Sequence, residues 1–309
     1  MTAPPLLVIA GATATGKTGL ALRLADELRG RGVAAEIISA DSRQVYRGLD
    51  IGTAKVGPDE RARIPHHGLD LVDPDTPFSV ADFVEHASGA LAGIAASAGL
   101  AVLVGGTGLY LRAVARGIAT DALPSDAAVR ARIEDELGAH GVAAAGARLA
   151  ALAPGLAART DLRNPRRVAR ALEIAELRGD APLPAPRGYD GPVAWIGLAV
   201  DPATHRRWIA ERARAQFEAG LIDEARALRE RFDPSLPAFS AIGYREAWAV
   251  LDGRLTVGAA IAEDTARNVA FAKRQRTWFR AEPGVDWLDA AADPLPTAVT
   301  AAERLVERS

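Results

Sequence analysis

Eight consecutive residues, Gly11-Ala12-Thr13-Ala14-Thr15-Gly16-Lys17-Thr18, spell a complete G-x-x-x-x-G-K-[ST] loop. Each residue type has a task in holding a diphosphate or triphosphate. The glycines let successive backbone N–H groups turn toward phosphate oxygens, and the helix that follows adds its positive N-terminal end. Lys17 supplies a point charge, and the Thr18 hydroxyl is a ligand for Mg²⁺. Loops of this type bind ATP and other nucleotides. Both flanks suit it: Leu6-Leu7-Val8-Ile9-Ala10 reads as a buried strand and the stretch from Leu20 to Leu28 as a helix.

What happens at the phosphate depends on the neighbouring strand ends. Glu36-Ile37-Ile38-Ser39-Ala40-Asp41-Ser42 reads as a strand that carries Asp41 and Ser42 to its carboxyl end, where open α/β sheets bind ligands. A carboxylate there faces the phosphates or caps a helix. The polar, glycine-punctuated stretch from Arg43 to Lys55 reads as a loop that touches a ligand. A third strand, Leu100-Ala101-Val102-Leu103-Val104, runs into Gly105-Gly106-Thr107-Gly108 and has no acidic residue where an ATPase keeps its Mg²⁺-holding Asp. ATP hydrolysis is therefore not expected. The glycines alone fit an ordinary strand-to-helix turn; with Thr107 they also suit a close-approach surface with one hydroxyl, on which a substrate lies flat against backbone.

These residues need a frame, and 309 residues with 49% hydrophobic content can bury one. Up to about Gly117, strand and helix alternate, which predicts a parallel sheet. From Ser125 to Arg178 only helical signals occur. Within that block Asn164 is an N-cap, Pro165 a first helical residue and Gly179 a stop, which predicts a helix over 165–178 with Val168, Leu172 and Ala175 as its buried stripe. Arg166 and Arg170 then point the other way, to phosphate or to a solvated face where Arg170 pairs with Glu173. The Pro-rich run 181–186 reads as an exit linker and 193–200 as a strand returning to the sheet. Trp208 to Phe232 and Tyr244 to Leu251 are helical in pattern, and nothing after Pro283 declares an element. The expected organisation is a phosphate-loop core (1–120), a helical insertion (121–186) and a mostly helical second part of the core (187–309).

The formal net charge is −2, so any nucleic-acid surface must be local. Arg159, Arg163, Arg166, Arg167 and Arg170 form one basic cluster, and Lys273, Arg274, Arg276 and Arg280 another. Helical spacing puts Lys273, Arg276 and Arg280 on one face and Phe271 with Trp278 on the other, which predicts core aromatics. The only lysines are Lys17, Lys55 and Lys273, a sign of sites where an ammonium cannot be exchanged for a guanidinium. No apolar run approaches the ~20 residues of a membrane span, and the N-terminal run leads straight into the loop rather than to a cleavage site. With no cysteine for disulfides or thiolate metal sites, a soluble, cytoplasmic, monomeric protein without membrane contact is expected.

The set of Gly11 to Thr18, Asp41-Ser42-Arg43-Gln44-Val45-Tyr46, Asp50-Ile51-Gly52-Thr53-Ala54-Lys55 and Gly105 to Tyr110 resembles the tRNA dimethylallyltransferases, or tRNA isopentenyltransferases. Pro65-His66-His67-Gly68-Leu69-Asp70, Phe78 to Phe83, Ile242-Gly243-Tyr244-Arg245 and Ala272 to Trp278 extend the likeness over nearly the whole chain. It implies an α/β fold, a P-loop NTPase-like parallel sheet flanked by helices with an all-helical insertion. The implied reaction is attack by N6 of the adenosine 3′ of the anticodon, in tRNAs that read codons beginning with U, on C1 of dimethylallyl diphosphate. Under it, Gly11 to Thr18 hold diphosphate, Thr18 holds Mg²⁺, and Lys17, Asp41 and Thr107 act in catalysis, Asp41 as general base. Asp41, Ser42, Arg43 and Gln44 would meet the extruded base and Thr107 that adenosine or the diphosphate oxygens, while Arg130, Arg166, Arg167, Val168, Ala169, Arg170, Lys273, Arg276 and Arg280 would contact the tRNA anticodon stem-loop.

The chain departs from the family pattern where an Arg-Ile pair is usual and Trp208-Ile209 stands, and where a Thr-Arg pair is usual and Asn268-Val269 stands. Arg206, Arg207 and Arg267 are near enough in sequence to substitute. Arg159-Thr160-Asp161-Leu162-Arg163-Asn164 likewise replaces a His-Pro-Asn-Asp-like stretch. The residues alone also fit a small-molecule phosphotransferase, and the chemistry alone fits an adenylate isopentenyltransferase, though enzymes of that kind lack the arginine-rich insertion.

Overall fold

The computed structural model describes residues 3–120 and 122–309. Its centre is β1 (Leu6–Gly11), in which Leu6, Val8 and Ala10 pack to one face and Leu7 and Ile9 to the other, all buried. A strand covered on both faces must be apolar throughout, and such strands belong in parallel sheets. Among the described residues the sheet has six strands, all parallel, in the order β3-β2-β4-β1-β5-β6. The others are β2 (Ala35–Ser39), β3 (His66–His67), β4 (Leu100–Gly105), β5 (Val193–Ala199) and β6 (Val285–Asp289).

Between the first strands run α1 (Lys17–Gly30), α2 (Pro58–Arg63), α3 (Val80–Ala96) and α4 (Gly108–Ala115). A separate compact unit, 118–187, holds α5 (Ala127–Leu152), α6 (Pro154–Ala157) and α7 (Pro165–Arg178). After β5 follow α8 (Pro202–Glu218), α9 (Leu221–Arg231), α10 (Tyr244–Leu251), α11 (Val257–Arg280) and, beyond β6, α12 (Leu295–Val306). Residues 1–117 and 188–309 make up the other unit. The expected boundary residue, 121, lies outside the described residues.

On one face of the sheet Leu20, Leu24 and Leu28 of α1 and Val299, Ala302 and Leu305 of α12 form a core with Leu7 and Ile9. On the other, Phe83 of α3, Leu111 of α4 and Phe279 of α11 pack on Leu6 and Val8. A third core joins the 45–51 loop to α8, α9 and α10 through Phe217, Leu221, Tyr244 and Trp248. The 118–187 unit closes on its own core of Ile133, Leu149, Leu156, Val168 and Leu172. Its α5 is interrupted at Gly141 (φ 79°), and α7 starts where the Asn164 side chain accepts the Arg167 N–H at 3.2 Å.

Three elements differ from the expectation. The helical stretch expected over Trp208 to Phe232 begins earlier, at Pro202 behind the Asp201 cap, and breaks at Gly220 (φ 102°). The segment after Pro283 holds a strand and a helix, β6 and α12. β3 is only two residues long, too short for any periodicity.

Candidate active site

The phosphate loop leaves β1 and enters α1 through Gly16, whose left-handed φ of 80° suits glycine. Lys17 opens the helix and its Nζ donates to the Ala12 carbonyl at 2.7 Å. Burial, with the Arg212 guanidinium beside it, pulls Lys17 down to about 7 against the opposing pull of Asp41. Ala14, with φ 58°, is a left-handed non-glycine residue, a conformation that costs about 1 kcal/mol and persists only where neighbours fix it.

The neighbours fix Thr13. Its N–H donates to Gln275 Oε1 at 2.8 Å, its hydroxyl accepts from Arg212 Nη1 at 2.5 Å, and its carbonyl lies 2.8 Å from His205 Nε2. Gln275 also donates to the Gly106 carbonyl at 2.9 Å, tying the phosphate loop to the end of β4. Every polar atom of Thr13 is thus taken by α8 or α11. Arg212, His205 and the role of Gln275 escaped sequence reasoning. Arg212 was within reach of it, since it stands one helical turn after Trp208 on the same face. The expected substitutes do not serve: Arg206 and Arg207 are exposed, and Arg267 pairs with Glu246. Val269 packs with the apolar cluster of Ala12, Ile209 and Ala272.

β2 ends at Ser39 and sets Asp41 just past the sheet edge. Asp41 Oδ1 accepts the Arg43 N–H at 2.8 Å, which leaves Oδ2 for a ligand. Thr107 Oγ1 accepts the Ser42 N–H at 3.1 Å, so its own proton can be donated. Gln44 lines the cavity at the phosphate loop; its amide accepts from the Ser39 hydroxyl at 2.7 Å and donates to the Thr53 carbonyl at 3.1 Å. Arg43 reaches the Pro237 carbonyl at 3.0 Å. The glycines after β4 also serve the protein itself. A Cβ at Gly105 would collide with Ala40, at Gly106 with the Gln275 amide and at Gly108 with the Trp278 ring. Ala40 and α11 thus approach these glycines closely from behind, while Gly105 and Gly106 also line the cavity.

Lys17, Thr18, Asp41, Arg212 and Gln275 line one cavity, together with the apolar Ile37, Val56, Leu69, Val104 and Phe271. Among the described residues no cluster of three His, Asp or Glu could cage a metal ion. The donors present, the Thr18 hydroxyl and the Asp41 carboxylate, are hard oxygens that suit Mg²⁺ when phosphates complete its shell.

Lys55 serves differently from Lys17. Its wholly buried ammonium donates to the Tyr46 carbonyl at 2.8 Å, Asp50 at 2.6 Å and Asp70 at 2.7 Å, three acceptors for three N–H groups. Glu224 of α9 accepts the N–H groups of Ile51 and Gly52 at 2.7 and 3.1 Å and the Tyr244 hydroxyl at 2.7 Å. The 50–55 loop is therefore held from behind, while Thr53 and Ala54 face the cavity.

The basic residues divide. Arg130 and Arg170 both grip Glu173, which is 0% exposed, at 3.0 and 2.6 Å. Burial pushes the Glu173 carboxyl up, but Arg170, the Asp126 N–H and Arg130 together outweigh it and hold it below the usual range. Val168 and Ala169 are core residues of α7 and have no side chain to offer RNA. Arg166 and Arg167 are exposed and form no ion pair among the described residues. On α11, Lys273, Arg274 and Arg280 are exposed, but Arg276 turns inward and donates to His205 Nδ1 at 2.8 Å. Phe271 is not in the core: it is 37% exposed, at the cavity, with Arg274 over its ring. Trp278 is half-buried beneath Arg112, 4.4 Å from its ring centre.

A family model described as IPP transferase matches residues 44–282. A tRNA dimethylallyltransferase of Roseiflexus sp. (strain RS-1) is 44% identical over 297 residues, 94% of this chain and 95% of the relative. One of Anaeromyxobacter sp. (strain K) is 46% identical over 293 residues, 92% of each. The crystal structure of a tRNA isopentenylpyrophosphate transferase from Bacillus halodurans superposes with a TM-score of 0.69 at 37% identity, covering 98% of this chain and 96% of that one. A eukaryotic dimethylallyltransferase acting on tRNA shares the fold, with a TM-score of 0.74 at 23% identity, over 97% of this chain and 77% of that one.

Proposed function

The chain belongs to the IPP transferase family, and from that premise we propose that it transfers the dimethylallyl group of dimethylallyl diphosphate to tRNA. The acceptor is N6 of the adenosine 3′ of the anticodon, position 37, in tRNAs that read codons beginning with U. One observation carries the reading: the Asp41 carboxylate shares a cavity with Lys17 of the phosphate loop and Arg212 of α8. An acid–base group thus stands beside a diphosphate site that has no acidic strand end of the ATPase kind.

In the step, the N6 lone pair forms a bond to C1 of the donor while the C1–O bond breaks, and its electron pair leaves on the diphosphate. The N6 proton passes to Asp41, on the oxygen that Arg43 does not occupy. Lys17, Arg212 and the loop N–H groups stabilise the charge that grows on the leaving group. The Thr107 hydroxyl donates to the base or to a diphosphate oxygen. Thr18 and the diphosphate oxygens would hold Mg²⁺, which supplies neutralising charge. Ile37, Val56, Leu69 and Val104 offer the apolar lining that a dimethylallyl group needs.

The base must leave the anticodon-loop stack, at a cost that is small in single-stranded RNA. Exposed Arg166, Arg167, Lys273 and Arg280 supply phosphate contacts. No helix among the described residues is long and apolar enough to cross a membrane, and the protein is read as a monomer that meets its tRNA in the cytoplasm. Incubation with labelled dimethylallyl diphosphate and either unmodified tRNA or AMP tests the reading. Label on adenosine of tRNA supports it; label on AMP alone, or on neither, overturns it.

A further inference from the structure

His205 is 1% exposed and sits between two groups whose hydrogen-bonding sense is fixed. The Thr13 carbonyl can only accept, so Nε2, at 2.8 Å, must carry a proton. The Arg276 guanidinium can only donate, so Nδ1, at 2.8 Å, must present a lone pair. Together they leave one state, the neutral imidazole protonated on Nε2. We infer that His205 is a positioning residue for the diphosphate: in that tautomer, set by Arg276, it holds the Thr13 carbonyl away from the anion and keeps the phosphate loop in its binding curvature. The inference rests on the proposed prenyl-transfer reading for its substrate, while its geometry does not.

The loop itself shows why such a hold is needed. A peptide beside an anion site can present either its N–H, which attracts the anion, or its carbonyl, which repels it. Thr13 precedes Ala14, whose φ of 58° is strained for a residue with a side chain. Left free, this stretch relaxes toward an ordinary conformation and rotates the Thr13–Ala14 peptide. Three contacts oppose that relaxation: Gln275 on the N–H, Arg212 on the hydroxyl and His205 on the carbonyl. His205 is the one that restrains the carbonyl. Arg276, for its part, spends its guanidinium on the imidazole and so belongs to the donor site.

Titration of inorganic diphosphate into the full chain, beside steady-state prenyl transfer, tests this. His205→Leu fills the volume but leaves the carbonyl unpaired, and diphosphate Kd and donor KM should both rise about tenfold, with kcat within about threefold of wild type. His205→Gln keeps an N–H for the carbonyl and should return Kd to within about threefold. Nitrogen NMR of the wild type should show the Nε2–H tautomer, and Arg276→Leu should mix the tautomers and weaken diphosphate binding in step. The inference is overturned if a folded His205→Leu binds diphosphate as wild type does, or if the Gln variant is as weak as Leu. Where the Leu variant fails to fold, Arg276→Leu decides: unchanged tautomer and affinity overturn it. Wild type that binds diphosphate but does not prenylate tRNA counts against the proposed function alone, because the titration needs no RNA.

Discussion

The guanidinium of Arg212 donates to the hydroxyl of Thr13 at 2.5 Å, across 199 residues of chain. The contact carries a fixed positive charge from α8 to the phosphate loop, into the cavity that Lys17 also lines. Arg212→Met keeps the length and removes the charge and the hydrogen bonds. Prenyl transfer should fall by roughly 10²–10³-fold, the scale of losing one preorganised donor to a developing anion. Binding of tRNA without donor should stay within about threefold. Transfer kinetics with saturating tRNA measure the first and a filter-binding titration the second.

Burial and the Arg212 charge draw Lys17 down to about 7, so its ammonium loses its proton far more readily than that of an exposed lysine. Diphosphate favours the ammonium, so its binding must raise the Lys17 pKa and take up a proton. Affinity for dimethylallyl diphosphate should therefore weaken as pH rises above about 7, by up to about tenfold per unit. Calorimetry in buffers of different ionisation heat should show the uptake at pH 7.5. Lys17→Arg, which stays charged, should lose that uptake; equal uptake in both proteins would assign the proton to the diphosphate.

Asp41 has one oxygen on the Arg43 N–H and one free, and the Asn variant keeps the first contact but cannot take a proton. Single-turnover transfer should drop by ~10²–10⁴-fold in Asp41→Asn while donor affinity holds. If tRNA affinity falls and single-turnover transfer at saturating tRNA does not, Asp41 orients the base without deprotonating it.

What the sequence made legible is local. Gly11 to Thr18, the strand β5 and the helix α7 announce themselves because loop type, apolar run, N-cap and glycine stop are encoded in adjacent residues. β6 carries Asp286, Trp287 and Asp289 on a half-exposed edge, so its pattern lacks the apolar run of a central strand. His205 and Gln275 lie 192 and 262 residues from Thr13, and only the packing of α8 and α11 over the loop brings them there. The glycines after β4 were visible, but not that Gln275 and Trp278 use the space they leave. Charge was legible and its use only in part: Arg166 and Arg170 share a helix, and the Arg170–Glu173 pair could be read from the i,i+3 spacing, but not that Glu173 is buried or that Arg130 of α5 joins it.

That division of arginines gives two opposite outcomes on one helix. Arg166 and Arg167 are exposed without ion pairs among the described residues, whereas Arg130 and Arg170 neutralise a carboxylate that is out of solvent. Replacing Arg166 and Arg167 with Ala should leave thermal unfolding unchanged, weaken tRNA binding and flatten its salt dependence by roughly 0.7 in slope for each phosphate left without its arginine. Arg170→Ala should instead destabilise the 118–187 unit by about 2–3 kcal/mol, because it leaves a carboxylate that is out of solvent with Arg130 as its one remaining cation among the described residues. Its effect on tRNA should follow the loss of fold. Arg170→Ala combined with Glu173→Gln should recover much of the stability, since no buried carboxylate is then left short of a partner. Titrations at several salt concentrations and melting curves on the same proteins separate the two. An unchanged slope for the Arg166 and Arg167 double variant would take α7 out of the RNA surface and leave Lys273, Arg274 and Arg280 of α11 as its basic part.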